Sequence, residues 1–260
     1  MKSSYPQRIV CLAAEAPEIL ARLGAWDQVV GVSSFAQYPE AVREKPRIGG
    51  FSTPDLGKVL GLQPDLVIAI SDIQAQIAAD LVRAGVPVLV LNPHHLVDVW
   101  RNILLVGGAA GLQREAEALV KELQDELAAL RDRCPLSRRL RVFFEEWPEP
   151  LISGIGWVGE LIAYLGGEDL FPELSARFQA RERVVSLEEV ARRQPEVIVA
   201  SWCGKKADLE AIRSRPAWQG VPAVQQGQVY EIASSDILQA GPGLIRGAGQ
   251  LQRLLAGVAG

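Results

Sequence analysis

Residues 55–70 read DLGKVLGLQPDLVIAI, and residues 186–201 read SLEEVARRQPEVIVAS. Aligned, they pair Leu56 with Leu187, Val59 with Val190, Gln63-Pro64 with Gln194-Pro195 and Ala69 with Ala200, and they place Asp65 opposite Glu196. The second copy starts roughly half of the 260-residue chain after the first. Two copies are too few for a solenoid, so the pattern predicts two similar halves. In each copy a short amphipathic helix (Leu56, Val59, Leu60, Leu62; Leu187, Val190) stops at a proline, which cannot continue it. A run of β-branched residues follows, the pattern of a strand buried on both faces of a parallel sheet. Open α/β sheets bind ligands beyond the carboxyl ends of their strands. SWCG (201–204) is such an end in the second half, and ISDI (70–73) is its counterpart in the first.

Outward from these units the alternation continues. RIVCLAA (8–14), VVGVSS (29–34) and PVLVLN (87–92) read as strands, with helices expected from Pro17 to Leu23, over 73–84 with Gly85 closing it, and from about His95. The second half resumes with RVFFEEW (141–147), then strands over 197–201 and 228–233, and a final helix from about Gly243. Between the halves, Leu112, Ala116, Leu119, Leu123, Leu127 and Leu130 recur at three- and four-residue steps among charged residues. This predicts one helix of about 20 residues, roughly 30 Å long, ended by Pro135. The fold expected is α/β: two similar Rossmann-like lobes (1–110 and 135–260) with parallel sheets, joined by one rigid backbone helix (111–134), with the ligand cleft between the lobes.

Composition narrows the function. The chain is 48% hydrophobic and 22% charged, as an ordinary globular protein is, and a monomer is expected. Its net charge of −4 gives no electrostatic case for nucleic acid, and no apolar segment is long enough for membrane insertion. Three cysteines, Cys11, Cys134 and Cys203, cannot form a disulfide framework. No long apolar stretch precedes Pro6, which leaves two expectations, a cytoplasmic chain or one that starts after a removed export signal.

The chemistry-bearing residues are few. The only histidines, His94 and His95, are adjacent and point in different directions, so no metal site is expected and one imidazole should be exposed at a helix start. Cys203, beside Lys205 and Lys206, is open to three readings: a nucleophile activated by the lysines, a metal ligand, or part of a wall. No GxSxG or P-loop is present, and no acidic residue follows Gly154, Gly156 and Gly159 at the distance a ribose site requires. Catalytic residues are therefore not assigned. Aromatic residues, by contrast, gather at strand ends: Phe35, Tyr38 and Phe51 in the first half, and Trp147, Trp157 and Trp202 in the second. Together they fit a wall for a large flat ligand, with Glu15, Ser71, Asp72, Glu145, Asp236 and Gln239 as polar groups on the same rim.

RIVCLAAEAPEILARLG (8–24), VGVSSFAQYP (30–39), the two helix–proline–strand units and ISGIGWVGELIAYLGGEDLF (152–171) resemble the periplasmic-binding-protein family whose lobes are bridged by one backbone helix. That family serves siderophores, haem, corrinoids and some metals. SSFAQYP and SSDILQAGP (234–242) are similar to vitamin B12-binding proteins of cobalamin ABC transporters. The resemblance implies a non-enzymatic, periplasmic or extracytoplasmic carrier that holds a corrinoid (cobalamin) as ligand, with no covalent cofactor, and delivers it to a permease. The alternatives are a haem or iron-siderophore carrier, or a cytosolic corrinoid carrier or enzyme using Cys203. The family's pattern is broken in three places. Ile70 and Glu182 stand where aromatics line the site, which leaves the wall to Trp157 and Trp202. One glutamate per lobe docks on the permease in this family. Glu188 fits in the second copy, but the first has Gly57, with Asp55 the nearest carboxylate.

Overall fold

The computed structural model describes residues 4–133 and 136–260. Cys134 and the helix-ending Pro135 lie outside them, as do the first three residues. The chain divides into two compact units, one formed by residues up to Pro93 with Asp98–Leu123 and Gln239–Gly243, the other by His94–Val97, Gln124–Leu238 and Leu244–Gly260. The division falls within the long helix, between Leu123 and Gln124.

The first unit is built from β1 (Ile9–Cys11), α1 (Ala16–Arg22), β2 (Val29–Val32), α2 (Leu56–Gly61), β3 (Leu66–Ile70), α3 (Ala75–Arg83) and β4 (Val88–Leu91), with most of α4 (Leu96–Ala110) and the first part of α5 (Gln113–Arg133). Its sheet has the order β2-β1-β3-β4, and every pairing is parallel. All five residues of β3 are buried, as its continuous apolar run requires. Val10, Leu12, Val59, Val67 and Leu81 meet in the core on one face. The expected helix over 73–84 opens as a 3-10 turn at Asp72–Gln74 before α3, and Gly85 follows with φ +79°, the left-handed conformation that ends helices.

The second unit contains β5 (Arg141–Pro148), β6 (Leu151–Ser153), α6 (Gly156–Tyr164), β7 (Glu168–Asp169), α7 (Pro172–Ser175), α8 (Leu187–Arg193), β8 (Val197–Ala200), α9 (Leu209–Arg213), α10 (Pro222–Gln225), β9 (Val229–Glu231), α11 (Ser234–Ile237) and α12 (Leu244–Ala259). Strands run β6-β5-β8-β9, with β7 pairing β5; β6 is antiparallel to β5 and the other pairs are parallel. The β5–β6 hairpin is an addition to the expected pattern. Phe143, Ile198, Val190 and Trp218 anchor this core, with Trp218 edge-on to Phe143 at 5.8 Å.

The repeat persists down to single hydrogen bonds. Asp55 caps α2 by accepting from Lys58 N at 3.0 Å, and Ser186 caps α8 by accepting from Glu189 N at 3.1 Å. Gln63 and Gln194 both adopt left-handed backbone, at φ 48° and 53°. Arg8 donates its backbone N–H to Asp65 (2.8 Å) and its Nε to the Gln63 carbonyl (3.1 Å). Arg141 does the same to Glu196 (3.1 Å) and the Gln194 carbonyl (2.9 Å). Each arginine thus clamps the start of its half's first strand to the start of the repeat strand.

Candidate functional site

In the first unit, the loops after the strand ends are shaped by buried polar side chains. Gln74 is buried. Its Oε1 accepts from Ile70 N (2.9 Å), and its Nε2 donates to the carbonyls of Phe51 (2.9 Å) and Leu12 (3.4 Å). It thereby ties the ends of β1 and β3 to the Phe51 loop. Arg47 Nη1 donates to the Ser33 and Ala36 carbonyls at 2.8 and 3.0 Å, and Gln239 Nε2 donates to the Phe35 carbonyl at 3.3 Å. Held this way, Phe35, Tyr38 and Phe51 stay half-buried, with ring surface left over. Gly50 lies under the Phe35 ring, where a Cβ would sit 3.6 Å away, at van der Waals contact. Ser71, at φ 55°, turns the chain out of β3, and Asp72 and Ile73 follow it into solvent.

Glu15 is a correction to the polar rim. It is only 3% exposed, packed against Gly241, and its Oε1 has no hydrogen-bond partner among the described residues. Burial pushes its pKa up to about 7, opposed in part by a backbone hydrogen bond. The neighbouring Cys11 thiol is pushed up as well, by burial and by the nearby Glu15.

In the second unit four more residues expected at the site, Glu145, Trp202, Trp157 and Asp236, turn inward. Glu145 is fully buried. Its carboxylate takes a two-pronged ion pair from Arg215 (2.5 and 2.9 Å) and a bond from Trp202 Nε1 (3.2 Å). Trp202 is 6% exposed and belongs to the core, so it offers no open ring face. Trp157 is 4% exposed and donates Nε1 to the Ile237 carbonyl at 2.9 Å. Asp236 is buried too, holding Arg246 (3.2 Å) and Gln250 (3.0 Å) on α12. For each of these the physical reason is the same: a buried polar group is kept where it finds a partner. The replacement wall expected from Trp157 and Trp202 is therefore not built from their faces. Trp147 remains half-buried, with its Nε1 on the Glu149 carbonyl at 3.0 Å.

Trp202 packs inward and Cys203 is exposed, because a turn from Trp202 to Lys205 (N to O, 3.3 Å) with Gly204 at φ +74° ends the strand alternation early. The lysines do not activate the thiol. Desolvation, with the Glu146 carboxylate adding to it, raises its pKa. Lys205 instead lies over the rings of Trp147 and Trp202, with its Nζ 4.2 and 4.9 Å from their centroids. Sequence reasoning missed this seat, and also the buried Arg183, which pairs in bidentate fashion with Glu146 (2.6 and 2.9 Å). The only signal for either was charge beside buried aromatic runs.

His95 is half-exposed and meets Glu160 at 2.6 Å, while His94 stacks on Phe178 with centroids 3.7 Å apart. Among the described residues no three His, Cys, Asp or Glu side chains gather as metal ligands. Gly156 and Gly159 serve packing: a Cβ on either would collide, with the His94 carbonyl or with Asp169. Glu182 is exposed and bonds Gln179 N at 3.0 Å in a capping box. Glu188 projects from the first turn of α8 into solvent, whereas Asp55 is engaged in capping α2.

Residues 9–235 match the family described as periplasmic binding protein. The chain belongs to that family. Its members are substrate-binding proteins of transporters and not enzymes. The chain is 28% identical over 230 residues to the vitamin B12-binding protein of Vibrio parahaemolyticus serotype O3:K6 (strain RIMD 2210633), covering 84% of this chain and 82% of the relative. It is 28% identical over 257 residues to the uncharacterized ABC transporter substrate-binding lipoprotein YvrC of Bacillus subtilis (strain 168), covering 95% and 79%. Among solved structures, the apo form of the periplasmic heme-binding protein RhuT from Roseiflexus sp. RS-1 superposes with a TM-score of 0.85 at 25% identity, covering 98% of this chain and 99% of that one. No helix among the described residues is long and apolar enough to cross a membrane.

Proposed function

We propose that this family member is the extracytoplasmic carrier of a corrinoid, cobalamin or a close relative, which it delivers to an ABC transporter. One observation carries the reading: Phe35, Tyr38 and Phe51 stay half-exposed on loops and are not absorbed into the core, with Gln239 and Gln74 holding the Phe35 and Phe51 carbonyls and Arg47 holding those of Ser33 and Ala36 on the loop that leads to Tyr38. Rigid aromatic surface of this kind suits a large flat macrocycle, and polar Ser71 and Asp72 lie beside it to meet amide groups on the ligand edge. The vitamin B12-binding relative supports the corrinoid over other flat ligands. Exposed Glu188 is proposed to dock on the permease.

A haem is the second reading, supported by the likeness to the heme-binding RhuT. Isothermal titration with cyanocobalamin, haemin and a ferric siderophore separates them. Binding of cyanocobalamin with the tightest dissociation constant of the three is expected. No heat at ~100 µM cyanocobalamin, where even a site of about −5.5 kcal/mol responds, overturns the corrinoid reading.

A further inference from the structure

We propose that Lys205 is a specificity residue that selects for an anionic group on the ligand's edge, a phosphodiester or a carboxylate. This rests on the reading of the chain as a macrocycle carrier. The Trp202–Lys205 turn, with Gly204 at φ +74°, folds Lys205 back over the indole of Trp202 at the carboxyl end of β8. Trp147, at the carboxyl end of β5, supplies the nearer ring at 4.2 Å. Two indole faces hold an ammonium in place without neutralising it, because a ring quadrupole carries no net charge.

Two carboxylates near this seat are already engaged. Glu145, bonded to Trp202 Nε1, is paired on both oxygens by Arg215, and Glu146, beside Cys203, is paired on both oxygens by Arg183. Lys205 takes part in no ion pair among the described residues. Its charge is therefore surplus, fixed, and placed where a parallel sheet receives its ligand. Exposed Lys206 adds a second positive charge next to it. Trp147 and Trp202, both expected in the ligand wall, thus act one step removed, orienting a cation.

On a corrinoid the matching group is the phosphodiester of the nucleotide tail. Cyanocobalamin carries it and dicyanocobinamide lacks it. The test measures both dissociation constants for the unmutated protein, Lys205→Gln and Lys205→Arg, with thermal melts to verify folding. Lys205→Gln is expected to weaken cyanocobalamin by about tenfold or more and dicyanocobinamide by less than about twofold, with Lys205→Arg retaining most of the preference. Raising salt should erode cyanocobalamin binding more in the unmutated protein than in Lys205→Gln. Equal losses for both corrinoids, or none for either, overturn the proposal. If the unmutated protein binds neither, the corrinoid reading fails by itself. The same comparison is then made with haemin and its dimethyl ester, whose propionates are uncharged. Selective loss for haemin supports Lys205, and any other result, including no binding of either, overturns it.

Discussion

Replacing Arg215 by alanine removes the only cation that, among the described residues, pairs with a carboxylate shut off from water. Glu145 is fully buried, its oxygens lie 2.5 and 2.9 Å from the Arg215 guanidinium, and its carboxylate also accepts the Trp202 indole N–H at 3.2 Å. The guanidinium also lies over the Trp218 ring at 4.3 Å, so the change removes packing as well. Breaking a buried pair at one end costs about 3–5 kcal/mol, because the charge left behind must be kept in a low-dielectric interior or protonated. For a protein of this size that is roughly 6–20 °C in Tm. Guanidinium unfolding followed by tryptophan emission reads the effect directly, since Trp147, Trp157, Trp202 and Trp218 all lie in the second unit. A double variant, Glu145→Gln with Arg215→Met, is expected to regain most of the loss, since glutamine still accepts the Trp202 N–H and methionine fills the space. A loss under about 1 kcal/mol for Arg215→Ala would place the pair with solvent-exposed bridges and refute the buried-charge account. So would a double variant as unstable as the single one.

Glu15 gives a pH signature. Its pKa is raised from 4.5 to about 7, so the folded state holds a proton that the unfolded chain has released. Stability from this group is full below about 4.5, declines as pH rises to about 7, and changes no further above it, a loss on the order of 3 kcal/mol. Glu15→Gln should flatten that decline in unfolding curves taken across the window; an unchanged slope would show the carboxyl to be hydrated. In a Cys134→Ala background, iodoacetamide should modify Cys203 slowly at pH 7 and faster as pH rises, because its thiol is held protonated, and should spare buried Cys11. Rapid modification at pH 7 would restore the activated-thiol reading. Glu188→Ala should cut stimulation of the permease ATPase in reconstituted membranes by about tenfold or more, as loss of a charge-assisted contact implies. Asp55→Ala should act mainly through α2, whose cap it removes for about 1 kcal/mol. Equal losses in stimulation would instead establish docking at both positions.

What the sequence disclosed and what it hid divide along a physical line. The repeat units, the parallel strands and the long helix were legible because periodicity extends over many residues: β3 and β8 are buried throughout, and α5 runs 21 residues with Leu119, Leu123 and Leu127 inward. β6 escaped because three residues carry too little alternation to register. At the strand ends, alternation stops informing where a side chain goes. Whether Trp202 or Cys203 faces out depended on the turn at Gly204, and the inward Trp202 gives its N–H to Glu145. Glu145 in turn depends on Arg215, 70 residues away in sequence. Such partnerships leave no local trace, so an acidic residue at a strand end reads as a rim group until its partner is seen.

The two repeat copies show why the same scaffold can end in such different tips. The Arg8 clamp on Asp65 and Gln63, and the Arg141 clamp on Glu196 and Gln194, fasten the amino-terminal ends of adjacent strands, far along each strand from the residues that follow it. Once register is fixed there, and each strand is buried on both faces, nothing in the ladder constrains what comes after its last residue. The first copy leaves its strand through Ile70 into a left-handed Ser71, with Asp72 and Ile73 exposed. The second leaves through buried Ser201 and Trp202 into the turn that seats Lys205. The helices before the strands diverge as freely: Gly57 and Glu188 share a place on equivalent first turns whose caps, Asp55 and Ser186, do the same work. A substitution in either clamp should therefore disturb both ends of its unit through register. A substitution at Lys205, Ser71 or Glu188 should change what is bound or docked and leave the sheet as it is.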